Sequence, residues 1–391
     1  MAQDTISFAV IGAGMLARSL HLPNLLQTDV TTLHTCCDLD EKALQECRAI
    51  APDVKLSTDY RAVIHDPEVE ALIVATTEKF RVPIIEEAAK AGKPVYCEKP
   101  LAKNLEEALE IERLVEASGI PFCVGHNRRC SPAMVDAQRI FAAHMKAPGA
   151  CGWRYNREGA GRAKLDHEDG IAAMSIRIND DWWSWKNVHL QGQNAEIGLM
   201  LSEDTHFMDI AAWFMQAEPV EVMTTFSGIL VHQISVKFEG GHIASILSSA
   251  NGSFGYPKEL YEAIGRGGVV AVDHMVEVRT AGIEGAPLIT TYPMLRDRHP
   301  AVGTEGGLHG WLKKKEAACS EASAGGDMMK QFTAEPDKGH ARMLREFVRE
   351  IRGEREPVSP VQDAVRAVRM CLAAVKSKRE GRPVALSEIH C

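Results

Sequence analysis

Gly12, Gly14 and Ala17 in VIGAGMLARSLHLPNL have the spacing G-x-G-x-x-G/A, directly after a strand-like run and opening a helical one. The first glycine permits a sharp turn, the second lets a diphosphate approach the backbone, and the small third residue lets helix and strand pack closely. The helix opening there, through Met15 and Leu16, turns unpaired N–H groups toward the phosphates. Asp38 ends the next strand-like run, TTLHTCCDLD, where a carboxylate accepts from both ribose hydroxyls of an adenosine and repels a 2′-phosphate. The pattern therefore predicts NAD rather than NADP. Two further stretches could carry chemistry. CEKPLA, residues 97–102, sets Glu98, Lys99 and Pro100 at the end of an apolar run. LSEDTHFMDIAAWFMQ reads as an amphipathic helix with Phe207, Ile210 and Phe214 on a core stripe and His206, Asp209 and Trp213 on its neighbour. Histidine titrates near neutrality and suits proton transfer. His206 and Asp209 lack a third ligand at recognisable spacing, so no metal is expected.

These residues need a frame. Over residues 1–125, short apolar runs alternate with helical patterns: SFAVIGAG, TTLHTCCDLD, EALIVATT, PVYCEKP and IPFCVGHN read as strands with helices between them. Right-handed crossovers of that length give an α/β, doubly wound parallel sheet, a Rossmann domain, whose ligands collect beyond the carboxyl ends of its strands. CEKP lies at such an end. RRCSPAMVDAQRIFAAHM opens a further helix, with Ser131 as N-cap and Pro132 in its first turn. From about residue 218 the texture changes to strands joined by tight Gly turns, as in HQISVKFEGGHIASILSSANG, the sign of antiparallel hairpins. Residues 126–391 are therefore expected to form an α+β substrate-binding and oligomerisation domain, with an open antiparallel sheet and C-terminal helices. Residues 281–337 show no firm periodicity and read as either a functional cover or a mobile stretch.

The totals narrow the function. A chain of 391 residues suggests two domains, and 44 basic against 53 acidic residues leave no basic stripe for a phosphate backbone. Nucleic acid is not an expected partner. No apolar run approaches the roughly 18 residues needed to span a bilayer, and the strand pattern just after Asp4 leaves no room for a signal peptide. The ten cysteines include no CxxC pair and read as reduced packing residues of a cytoplasmic protein.

Together, VIGAGMLAR, AGKPVYCEKPLA, GHNRRCSPA and THFMDIAAWF resemble the glucose-fructose oxidoreductase, inositol dehydrogenase and MocA family, and the closing EGRPVAL extends the likeness over most of the chain. That resemblance implies a nicotinamide held between the two domains and a sugar, sugar derivative or cyclitol as substrate. It implies that Lys99 reaches the nicotinamide and the reacting hydroxyl with Glu98 beside it, and that His206 is the general base. A lysine there can donate to the alcohol oxygen and stabilise its alkoxide character as hydride leaves. The family usually places an aspartate four residues before the histidine; here that position is Ser202, and Glu203 stands in as the substrate-binding acid. Asp209 either orients the histidine, binds substrate, or satisfies a backbone group.

The remaining motifs keep alternatives open. Thr76 retains the first position of a T-P-N-x-x-H pattern and is expected to touch the cofactor, while Arg81 replaces its histidine, for an anionic substrate or a local salt bridge. In GHNRRC the resemblance puts Asn127 near the nicotinamide and gives Arg129 a part in joining the domains; an ordinary polar loop is the alternative. INDDWWSWK offers Asp180, Asp181, Trp182, Trp183 and Trp185 either for sugar recognition or for packing. Arg154, Arg157, Arg162 and Lys164 either hold an anionic group of the substrate or lie in a solvated loop. The expected activity is NAD-dependent oxidation of a secondary hydroxyl by a homodimer or homotetramer. The alternatives are redox-neutral glycoside cleavage on tightly bound NAD, and a nucleotide- or sugar-sensing regulator.

Overall fold

The computed structural model describes residues 5–147, 170–181, 199–227, 230–293, 306–325 and 335–391. It divides into two compact units, residues 1–130 with 339–369 and residues 131–338 with 370–390.

The first unit is built on six parallel strands, β1 (Ile6–Ile11), β2 (Thr31–Cys37), β3 (Lys55–Ser57), β4 (Ala71–Val74), β5 (Val95–Cys97) and β6 (Phe122–Val124), in the order β3-β2-β1-β4-β5-β6. The order reverses between β1 and β4, and a doubly wound sheet opens its ligand crevice at that reversal. Local chemistry agrees with the elements. Asp40 caps helix α2 (Glu41–Ile50) by accepting from Lys42 N at 2.9 Å, and Asn104 caps α5 (Leu105–Ser118) through Glu107 N at 2.8 Å.

The domain boundary differs from the sequence expectation. Residues 339–369, assigned above to the second domain, group with the first. The cause is hydrophobic: Met343, Leu344, Phe347 and Val348 of helix α9 (His340–Ile351) are buried in one cluster with Phe8, Val10 and Tyr96, and the Phe347 ring lies 6.0 Å from that of Tyr96. The same helix carries a buried acid. Glu350 accepts from Phe122 N at 3.0 Å, and its other oxygen has no partner among the described residues. Burial pushes its pKa up to about 7, against the opposing hydrogen bond from Phe122. The folded protein thus holds this proton more tightly than the unfolded chain, whose carboxyl keeps its ordinary value of 4.5. Stability from this group is full below that value and is lost as pH rises toward 7, by about 3 kcal/mol at most. Glu350→Gln is expected to flatten that decline; melting temperatures measured from pH 5 to 8 that fall equally in parent and variant would refute it.

Among its described residues the second unit has a sheet of nine strands, β7 (Ala172–Asn179), β8 (Pro219–Ser227), β9 (Val231–Phe238), β10 (Ile243–Ser249), β11 (Glu259–Gly265), β12 (Gly268–Asp273), β13 (Glu277–Ala281), β14 (Ile289–Thr291) and β15 (Val384–Ala385), in the order β14-β13-β12-β11-β7-β10-β9-β8-β15. All neighbours are antiparallel except β7 and β10, which run parallel, so the sheet is mixed rather than wholly antiparallel. One face is buried: in β9, His232, Ile234, Val236 and Phe238 point inward while Gln233, Ser235 and Lys237 are exposed. Helices α6 (Pro132–Lys146) and α7 (Thr205–Met215) pack against β12 and β7. Ser131 occupies the N-cap position of α6 but makes no side-chain capping bond. The stretch 281–337 holds structure that its composition hid: β14 and helix α8 (Gly307–Gly325), which buries Trp311, Lys315 and Ala322.

Candidate active site

The glycine turn leaves β1 at the crevice. Gly12 has φ +100°, and a Cβ there would lie 2.6 Å from Thr76 N, so only glycine fits. Gly14 is different. Its backbone is not left-handed, and a Cβ would meet nothing within 4 Å. Neither strain nor packing inside the chain demands glycine at that position, whereas a diphosphate approaching the backbone would. Met15 and Leu16 open the helix and are 46% and 38% exposed despite their apolar side chains. Asp38 accepts from Ala13 N at 2.6 Å and from Asp40 N at 3.0 Å, fixing its carboxylate beside the turn. The Thr76 hydroxyl is buried with no partner among the described residues. An open Gly14, an anchored acid and an orphaned hydroxyl at one sheet reversal fit a dinucleotide. Gly14→Ala is accordingly expected to leave the melting temperature unchanged or slightly raised, yet weaken NAD binding at least about tenfold, as read by NADH fluorescence titration. Unaltered affinity would contradict the assignment.

Lys99 sits on a turn whose other members are buried. Glu98 is 4% exposed; its Oε1 lies 2.8 Å from His21 Nε2 and its Oε2 accepts from Lys99 N at 3.1 Å. Burial alone would raise Glu98, but the hydrogen bond and charge of His21, with Lys99 and His340, outweigh it and hold the carboxyl at about 2. A Cβ on Gly125 would come within 3.0 Å of the same carboxylate. The Lys99–Pro100 peptide is cis. Arg81, 3% exposed, donates to the carbonyls of Thr76, Glu98 and Pro100. It therefore serves neither reading given above: its guanidinium gathers the ends of β4 and β5 through backbone oxygens. The result is a rigid turn that presents a partly exposed Lys99.

Asn127 is 2% exposed and accepts from Arg128 at 3.3 Å. Arg129 donates to Val358 O at 3.0 Å and pairs with Asp363 at 2.6 Å. These two bonds of Arg129 tie segment 358–363 to the end of β6 within the first unit.

In the second unit, helix α7 follows a π-helical turn, Met200–Asp204, and is buried almost all round, so it is not amphipathic as expected; Trp213 is the partly exposed exception. His206 and Asp209 are 4% and 2% exposed. Glu203, also buried, pairs with Lys258 Nζ at 2.5 Å, and the same ammonium lies 2.8 Å from Asp180 just beyond β7. One residue along, Asp204 pairs with His232 at 2.7 Å. Burial opposes a charge on that imidazole, but the charge and hydrogen bond of Asp204 prevail and raise its pKa. Trp183 and Arg157, with Trp182, Trp185, Arg154, Arg162 and Lys164, lie outside the described residues. Sequence reasoning missed His21 at the end of a helical turn, Lys258 in the bend before β11 and His232 on β9, which acquire these partners only in the fold. Among the described residues, His34, Asp66 and Glu68 have ligand atoms close enough to hold a metal ion, but Lys55 Nζ already sits 2.7 Å from Glu68.

Residues 6–126 match the model of an oxidoreductase family with an NAD-binding Rossmann fold, the Gfo/Idh/MocA family. Over those residues the chain carries that family's NAD-binding domain, and NAD is its cofactor. Beyond it, the scyllo-inositol 2-dehydrogenase (NAD(+)) of Bacillus subtilis is 24% identical over 98% of this chain and 97% of its own length. The myo-inositol 2-dehydrogenase of Thermotoga maritima is 22% identical over 97% and 98%. The crystal structure of the Lactobacillus casei scyllo-inositol dehydrogenase with bound NAD(H) and scyllo-inositol superposes with a TM-score of 0.69 at 14% identity, covering 98% of this chain and all of that one. At that identity the superposition shows the shared fold.

Proposed function

We propose that the protein oxidises one secondary hydroxyl of a cyclitol or a sugar, passing hydride to NAD. The observation that carries this reading is the CEKP turn: the buried Glu98–His21 pair and the Arg81 clamp fix the backbone around Lys99. When bound, NAD supplies the hydride acceptor. Gly12, Gly14, Met15, Leu16, Asp38, Thr76, Glu98, Lys99 and Asn127 hold and orient it. Lys99 donates to the substrate oxygen as the carbinol C–H bond breaks, and His206 takes the hydroxyl proton, leaving a ketone. Glu203 and Asp209 bind the neighbouring hydroxyls, with Trp183 and Arg157 as further substrate contacts. Support comes from the full-length likeness to two inositol dehydrogenases.

No helix among the described residues is long and apolar enough to cross a membrane, and nine described cysteines are free, as suits the reducing cytoplasm. The outer face of the second unit's sheet exposes Ile243, Leu247 and Ile264. A second copy of the chain covers that face in this reading, and sedimentation of the purified protein as a dimer or tetramer would support it. The activity itself is tested by following NADH at 340 nm with scyllo-inositol, myo-inositol and D-xylose. NADH formation with any of them supports the reading; NAD binding without turnover on a wider panel of polyols and aldoses counts against it.

A further inference from the structure

Lys258 has no role in anything described so far, yet it joins three parts of the second unit. Its Nζ lies 2.8 Å from Asp180, next to the end of β7, and 2.5 Å from Glu203, three residues before His206. Its carbonyl accepts from Asn179 N at 2.7 Å, and its own N–H donates to His274 Nδ1 at 3.1 Å. Nδ1 of His274 is thus the acceptor. Burial pushes that imidazole down to about 3, so the ring stays neutral; it lies 4.4 Å from the Trp311 ring of α8. Only 12% of the Lys258 side chain is exposed, and a buried ammonium is costly unless carboxylates face it. Here two do.

We propose that Lys258 is a positioning residue for substrate recognition, acting through Glu203 and Asp180. The claim rests on the polyol reading above. A single ammonium between two carboxylates balances their charge and fixes the oxygen of Glu203 relative to α7, so that the acid can accept a substrate hydroxyl without reorganising. Without it, two buried carboxylates face each other with no cation between them and repel, Glu203 moves from its place, and substrate binding suffers more than the chemical step.

The test is calorimetric titration of the full chain with NADH followed by scyllo-inositol and myo-inositol, for the parent, Lys258→Met, Lys258→Arg, Glu203→Gln and the Lys258→Met/Glu203→Gln pair. Expected for Lys258→Met are unchanged NADH binding and polyol affinity at least about tenfold weaker. Lys258→Arg should restore part of the affinity, and the double variant should bind no more weakly than Glu203→Gln alone. Parent-like polyol binding by Lys258→Met, or additive losses in the double variant, would overturn the positioning role while leaving the polyol reading intact. A parent that binds NADH but neither polyol overturns that reading, and this inference with it. Should Lys258→Met not fold, the Arg variant and the double variant, in which the charge imbalance is relieved, decide the question.

Discussion

Lys99→Met is expected to lower kcat on the order of a thousandfold, with the substrate KM changed far less. The ammonium is proposed to donate to an oxygen that gains charge only as hydride departs, so its loss falls on the transition state rather than on the bound alcohol. Methionine keeps the length of the stem and removes the donor. The hydrogen bonds that support the turn, Glu98 with His21 and Arg81 with three carbonyls, are made by other groups, and the charge of Lys99 only adds to that of His21 in holding Glu98 down. The fold and the glycine turn should therefore persist, and NADH titration and melting temperature provide the controls. Activity within tenfold of the parent would remove Lys99 from the chemistry.

His206→Asn is expected to cost about a hundredfold to ten-thousandfold in kcat/KM, the range for losing a positioned general base. The more telling result is the pH profile. If His206 is the base, the parent is expected to lose rate on the acid side, and the variant to lose that limb and instead rise with hydroxide concentration. Asparagine matches the ring in polarity and lets the buried site keep a hydrogen-bonding group at a position 4% exposed, so a stability loss of a few kcal/mol is the largest that should accompany it. A variant that keeps the parent's acid limb would assign the base to another group, with Asp209 the next to examine.

The parts that the sequence disclosed are those whose cause is local. A glycine spacing after a strand, an acid at the end of the next strand and a Lys-Pro turn after a third are each read from a few neighbouring residues, and the structure sets Gly12, Asp38 and Thr76 around one sheet reversal. Four misreadings share a different cause. Met343, Leu344, Phe347 and Val348 announce that α9 buries a face, but not that the face meets Phe8 and Tyr96, some 340 and 250 residues earlier, rather than the sheet nearer in sequence. β7, Ala172–Asn179, alternates Met174, Ile176 and Ile178 with Ser175 and Arg177 yet passed unread, for it has no hairpin neighbour and its parallel partner β10 lies seventy residues on. Helix α8 shows too thin a stripe, with Trp311, Lys315 and Ala322 buried among lysines and small residues. Arg81 suggested an anion or an acid because charge usually meets charge; three backbone carbonyls collected from two strand ends leave no mark in sequence.

The central claim is that hydride moves from a substrate carbinol carbon to NAD under this chain's own residues. Its most direct test is mass spectrometry of the NADH formed when the full-length protein meets NAD and scyllo-inositol or myo-inositol deuterated at its ring carbons. NADH one mass unit heavier, formed with the parent and abolished in Lys99→Met, is the predicted result. Unlabelled NADH, or label transfer undiminished in the variant, would contradict the account.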